Sequence, residues 1–256
     1  MTGLLRSTWY TLDRLVRAFL RTPIWIVVYL IQPLIWLLLF TQIFQSITVL
    51  PGFSTSSYVQ FFAPGLIVTL AVFNSNFSGF QILSDISWGV LEKMLVTPVN
   101  RYGLIFGSLL YVAVTGIAQI VIVLVISLLL GASVVTGVGG VLITFVIVSL
   151  LSMGITGLLT ALALRVKRPE PLVFVSTLIT LPLIFLSSAL IPASLTPGWV
   201  QTAMKFNPVN YAVLAVRPLF LTGYAWTAIA QALIVCGALA FVAIVIATLA
   251  VRRFGD

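Results

Sequence analysis

Asp85-Ile-Ser-Trp-Gly-Val-Leu-Glu-Lys-Met-Leu-Val-Thr-Pro-Val-Asn-Arg101 is a polar interruption in a greasy chain, and its reading decides the fold. It holds both acidic residues found between Asp13 and Glu170. Each charge placed in hydrocarbon costs roughly 2.5–3.5 kcal/mol even on the lenient insertion scale. The stretch is therefore predicted to form a helix lying on one face of a membrane, joined at each end to a spanning segment. Such a charged elbow is what a membrane protein offers to a soluble partner.

The composition agrees. Hydrophobic residues make up 61% and charged residues 7%, with a mean hydropathy of +1.22. Soluble domains carry about 25% charged residues, which excludes a soluble globular fold. The formal charge of +8 comes from 13 Lys and Arg against 5 Asp and Glu. The basic residues lie between apolar runs, a pattern of membrane orientation and not of nucleic-acid binding. Cys236 stands alone in an apolar run, so no disulfide framework or paired-cysteine metal motif is expected, and histidine is absent. The first apolar run follows an arginine-rich stretch and is too long for a cleavable signal.

A hydrocarbon core needs roughly 20 apolar residues per helix. Six segments qualify: 24–45, 59–82, 103–131, 139–164, 172–192 and 226–251. The breaks are Thr48 to Ser57 with Pro51-Gly52, the elbow, the glycine-rich Gly131–Gly140, Arg165–Pro171, and Ala193–Ala225. No appended soluble domain and no internal repeat is expected. With the N-terminus inside, the cytoplasmic side collects eleven basic residues and the outside keeps two, Lys205 and Arg217. That bias predicts cytoplasmic termini.

Residues 1–22 are predicted to form an amphipathic helix on the membrane surface. Leu5, Trp9, Leu12, Val16 and Phe19 make one apolar face, with Arg6, Asp13, Arg14, Arg17 and Arg21 opposite and Asp13 at pairing distance from Arg17. Thr22-Pro23 ends this helix and restarts the chain as the first span. On the outer side, Thr196-Pro197 and Asn207-Pro208 are two helix starts and Gly223 a stop. The short helices between them, about 194–223, are too apolar for a solvated loop. They are predicted to dip into the outer leaflet or to pack across the mouth of a cavity.

Catalytic and energising motifs are missing. There is no phosphate loop around Lys93, Lys167 or Lys205, no HExxH, no Gly-x-Ser-x-Gly, and no charge inside any span. Ion-coupled carriers place ionisable residues there. A transporter of this composition must draw its energy from another subunit. The uncharged polar groups cluster in the second span (Thr69, Asn74, Ser75, Asn76, Ser78) and the fifth (Ser176, Thr177, Thr180, Ser187, Ser188). Asn74 and Asn76 point about 200° apart on a helix, whereas Asn74 and Ser78 share a face. Asn74 and Ser78, with Thr177 and Thr180, are therefore the predicted path residues, and Asn76 a helix-to-helix contact.

Phe-Phe-Ala-Pro-Gly-Leu-Ile (61–67), Asp85, Gly89, Leu91-Glu92-Lys93, Leu95, Thr97-Pro98 and Arg101 form one motif. Ser-Ala-Leu-Ile-Pro (188–192), Trp199, Asn207-Pro208, Tyr211 and Arg217 form a second. In order and spacing they resemble the permease subunits of type-2 ABC exporters, which include daunorubicin-type drug exporters. Ile-Ser-Trp between Asp85 and Gly89 departs from the more charged triplet common in that family. The resemblance implies an all-α fold: an N-terminal connecting helix (1–22) followed by a permease domain (23–256) of six spans. A coupling helix at about 85–100 and re-entrant helices before the last span complete it. It also implies two ATP-binding cassette ATPase subunits as partners, which bind the ATP and Mg, and a second permease, identical or a sister chain. This chain itself is expected to bind no cofactor and to catalyse nothing.

Asp85, Trp88, Gly89, Leu91, Glu92, Lys93, Leu95, Thr97, Pro98 and Arg101 would dock on the ATPase, with Glu92 and Lys93 as polar contacts and Trp88, Leu91 and Leu95 as an apolar wedge. Arg6, Arg14, Arg17 and Arg21 would mark the connecting helix. Asn207, Pro208, Tyr211 and Arg217 would mark the re-entrant region, and spans two and five would face the path. The expected function is ATP-driven export of hydrophobic or amphipathic compounds such as antibiotics, from a bacterial plasma membrane. Alternatives are export of lipid or lipid-linked polysaccharide by the same fold, a stand-alone channel or ion-coupled carrier, and a membrane enzyme.

Overall fold

A computed structural model describes residues 2–46, 57–87, 101–166 and 168–254, and every regular element among them is helical. In chain order the helices are α1 (Thr2–Leu20), α2 (Pro23–Phe44), α3 (Tyr58–Ser87), α4 (Arg101–Leu129), α5 (Gly137–Val166) and α6 (Pro169–Phe185). A short 3-10 turn (Ala193–Leu195), α7 (Gly198–Met204), α8 (Pro208–Leu221) and α9 (Trp226–Phe254) follow. Five of these, α2, α3, α4, α5 and α9, are long and apolar enough to cross a membrane. Their outward faces are apolar too: Ile31 and Leu39 on α2, Val121 and Val125 on α4, and Phe241 and Val245 on α9 are exposed. A bundle whose outside is this apolar is suited to lipid as its solvent.

The predicted fifth span, 172–192, differs from what is found. Its helix, α6, is 17 residues long and stops at Phe185. The reason lies in the partners waiting beyond it. Asn207 Nδ2 takes the carbonyls of Leu183 and Leu186 at 2.7 and 2.6 Å. Asn210 Oδ1 accepts from the backbone and side chain of Ser188 at 3.0 and 2.8 Å. The segment after α6 is thus held in a turn by side chains of α8 and its cap, which offer its backbone an alternative to helical bonds.

Packing centres on α5, which lies against α9 through small residues. Gly154 and Gly157 let the α9 backbone approach near Ala240 and Ala243, the mode by which helices associate without a hydrophobic driving force between them. α3 fills the middle: Phe61, Phe62, Leu66, Ile67 and Leu70 are buried. Aromatic rings then join α3 to α2, with Phe40 stacked on Phe62 at 5.1 Å and Trp36 edge-on to Phe73 at 5.9 Å. α8 packs into the bundle. Val209, Ala212, Val213, Val216, Leu219 and Phe220 are buried, in the same core as the first half of α3.

The α3 backbone passes so close to the turn after α6 that a Cβ on Gly65 would lie 2.2 Å from the Ala189 carbonyl oxygen. The opposing atoms all belong to the Ala189 backbone and cannot swing aside. Gly65→Ala is expected to cost at least about 1–3 kcal/mol through overpacking. Gly198→Ala, where nothing lies within 4 Å, serves as the matched control. Thermal midpoints of the two detergent-solubilised variants check this, and equal midpoints would refute the close approach.

Candidate functional site

The polar side chains gather at the two ends of the bundle and in one belt between them. At the end where α3 begins, Arg217 of α8 is buried beneath the Ser188–Leu190 turn. Its guanidinium donates to the carbonyls of Phe61 at 3.3 Å, Ser188 at 2.6 Å and Ala189 at 3.1 Å, and it lies 3.8 Å over the Phe61 ring. The planar fork of Arg suits several acceptors at once, and the ring face adds attraction for the cation. Tyr58 donates to the Leu190 carbonyl at 3.0 Å. The two sequence motifs, 61–67 and 188–192, are thereby one structural unit.

Asn207 serves two helices. Its Oδ1 accepts from the Val209 amide at 2.9 Å, capping α8, while its Nδ2 closes the end of α6. Pro208 follows at the first helical position. Tyr211 donates to the Lys205 carbonyl at 2.9 Å. Gln60 binds the α4–α5 connection and the end of α8 together, donating to the carbonyls of Ser133 at 2.8 Å and Phe220 at 2.9 Å. Gln60 and Asn210 were missed in the sequence, although a lone amide opening an apolar span and a second Asn three residues after Asn207 were signals for them.

In the central belt Asn74, expected on the path, is bonded through both amide atoms to neighbouring helices. Its Oδ1 accepts from Tyr29 of α2 and its Nδ2 donates to Thr115 of α4 at 3.0 Å. Asn76, expected as the helix contact, is one: it accepts from Thr180 of α6 at 3.1 Å. Thr180 is buried and Thr177 is exposed on the same helix. The side chain of Ser78 is outside those described. A further line of buried hydroxyls, Thr144, Ser152, Thr156 and Thr160, runs down α5. Their spacing of eight, four and four keeps them on one face and was legible, but the sequence reading passed over it.

At the opposite end, Asp85 sits on the last turn of α3 and receives a two-pronged bond from Arg14 of α1, NH1 to Oδ1 at 3.0 Å and NH2 to Oδ2 at 2.5 Å. The Asp85 side chain is 11% exposed and that of Arg14 33%. Arg17 pairs within α1 with Asp13 at 2.9 Å, as the spacing predicted, Arg6 reaches Tyr10, and Arg21 is exposed. Trp88, Gly89, Leu91, Glu92, Lys93, Leu95, Thr97 and Pro98 lie outside the described residues, as does the side chain of Arg101.

The face of α1 that packs inward is Ser7, Thr8, Thr11 and Leu15, whereas Leu5 and Trp9 of the predicted apolar stripe point outward at 72% and 65% exposure. Gly103 and Gly107 of α4 admit this face: a Cβ on either would fall 2.4 Å from Ser7 Cβ or 2.5 Å from Thr11 Cβ. The Gly-x-x-x-Gly spacing was the signal for it.

A family model described as ABC-2 type transporter matches residues 6–221. The chain is 31% identical over 201 residues to the transport permease ycf38 of Cyanophora paradoxa, covering 78% of this chain and 69% of that one. It is 28% identical over 206 residues to the daunorubicin resistance ABC transporter permease protein DrrB1 of Streptomyces coeruleorubidus, covering 80% and 72%. It is also 25% identical over 170 residues to nodulation protein J of Rhizobium leguminosarum bv. trifolii, covering 64% and 63%.

The amide contacts carry a test. Asn74→Leu strips partners from Tyr29 and Thr115 on two other helices and is expected to cost about 1–2 kcal/mol. Asn76→Leu frees only Thr180, whose hydroxyl can turn to its own helix backbone, and is expected to cost less. Thermal midpoints of the two variants decide the order. A larger loss for Asn76→Leu would overturn this account of the belt.

Proposed function

We propose, from the premise that this chain belongs to the ABC-2 type transporter family, that it is the permease subunit of an ATP-driven exporter of hydrophobic or amphipathic compounds. The family places it among multi-pass transport permeases of the membrane. The substrate class rests on the likeness to a daunorubicin resistance permease. In this reading α6 and the turn after it complete a sixth crossing, and the termini are cytoplasmic in a bacterial cell membrane. Two copies, or this chain and a sister permease, join two ATPase subunits that bind ATP and Mg.

The elbow 88–100 is the coupling helix. Trp88, Leu91 and Leu95 wedge into the ATPase, with Glu92 and Lys93 as its polar contacts. ATP draws the ATPases together, the elbows follow, and the path opens outward, an alternation between two packings of the bundle. The path runs along α3 and α6 of each copy, past the exposed Thr177, while the Asn76–Thr180 bond and the bonds of Asn74 hold its wall together. α8, fastened by Arg217, closes its outer end. A second cargo class, lipid or lipid-linked polysaccharide, is decided by the same experiment.

The purified chain is expected to hydrolyse no ATP alone. Reconstituted with its ATPase in proteoliposomes, it is expected to move daunorubicin only when ATP is supplied. Leu91→Asp, which puts a charge into an apolar docking face, is expected to abolish copurification of the ATPase. Glu92→Ala is expected to weaken it by about 1–3 kcal/mol. Robust hydrolysis by the chain alone would sink the reading. ATP-dependent movement of a lipid-linked saccharide but not of daunorubicin would transfer it to the second class.

A further inference from the structure

The helix α1 touches both helices that border the elbow, and does so with one face. Ser7 and Thr11 lie against Gly103 and Gly107 in the first two turns of α4, immediately after the elbow. Arg14 holds Asp85 two residues before α3 ends at Ser87, immediately before it. Positions 7, 11 and 14 are spaced by four and three and so form a single stripe. The charged pair Arg17–Asp13 and the outward Trp9 belong to other faces.

Close contact at the two glycines bars α1 from sliding along α4 without a clash between Ser7 or Thr11 and that backbone. The ion pair fixes the other border. Its geometry is two-pronged, so it resists rotation as well as separation. Arg14 and Asp85 also line a small cavity with Ser108, Thr160, Leu164 and Val251, where α1 and α3 meet α4, α5 and α9. Arg14 Nε and Thr160 Oγ1 have no protein partner there among the described residues. The pair therefore borders a small, partly open cavity whose walls are mostly apolar, and Arg14 keeps a third of its side chain exposed.

We propose that α1 is a clamp across the elbow, and that Arg14 and Asp85 are positioning residues that make the elbow and the end of α3 move as one body. The proposal rests on the transport reading above and adds to it the device by which a push on the elbow reaches α3. Without the pair, α1 and the elbow still follow α4, but α3 is free to lag. Load is then lost between the ATPase and the wall of the path.

The experiment uses the permease assembled with its ATPase in lipid nanodiscs. Arg14→Gln, Asp85→Asn and the exchange Arg14→Asp with Asp85→Arg are compared for bound ATPase, thermal midpoint, and kcat and KM for ATP. Each single variant is expected to keep its ATPase and its KM while kcat falls about tenfold, within the usual range of coupling between sites. The exchange is expected to recover most of the loss, since the two positions act through each other. Full kcat in the single variants would overturn the clamp. So would a fall in midpoint and yield with kcat per assembled complex unchanged, which marks a merely structural bond. Reduced kcat that the exchange does not restore would overturn it as well. An unaltered chain that retains no ATPase refutes instead the transport reading on which the clamp rests, so the two failures are distinct.

Discussion

A single guanidinium, buried under three backbone carbonyls and a phenyl face, organises one end of this molecule. In a water-poor interior a carbonyl without a donor is costly, and so is a cation without acceptors. The Ser188–Leu190 turn and the carbonyl of Phe61 meet the first need by way of Arg217, and they meet the second in return. The turn must then lie against α3, which is possible only because residue 65 lacks a side chain. Asn207 and Asn210 complete the arrangement by ending α6 and capping α8. Hydrogen bonds to backbone thus do here what apolar burial does in a soluble core.

The other end solves the same problem with fewer pieces. One two-pronged ion pair and two glycines tie α1 to α3 and α4. Between the ends, the helices touch through small residues, rings and a few amide or hydroxyl bonds, and their remaining surface is apolar. Strong directional contacts at the rims with a smoother middle describe a bundle able to repack along its length while keeping its ends. That is the demand a transport permease makes on its fold, and membership of the ABC-2 type transporter family agrees with it.

Much of this was legible in the chain. The break at Arg165–Pro171, the pairing of Asp13 with Arg17 and the start of α8 at Asn207-Pro208 were read from local spacing, and the family from the resemblance of two motifs. The limits of that reading have physical causes. The apolar stripe of α1 was found, but in a membrane an apolar face does not announce the protein interior. The packed face carries Ser7 and Thr11, chosen for size and not for hydropathy. The stop of α6 at Phe185 depends on side chains more than twenty positions away. The elbow from 88 to 100, the most informative stretch of the sequence, lies outside the described residues, so its contacts rest on its composition and on its flanks.

Hydropathy and charge by themselves determined that the chain is a helical membrane protein with a polar elbow, because the cost of a charge in hydrocarbon is large and additive along a segment. The sequence also holds no Gly-x-x-x-x-Gly-Lys-Ser/Thr motif, and none of its Asp, Glu, Lys or Arg falls inside the six apolar segments. Only the tertiary structure decided which polar groups serve one another. Asn76 meets α6, as helical geometry suggested, but Asn74, which the same geometry placed on the path, joins α2 to α4. Arg217 and Asp85, read as surface features, are buried and bonded across the fold. Period and composition give the direction of a side chain around its own helix axis. They do not say which neighbour stands there, and the neighbour decides the role.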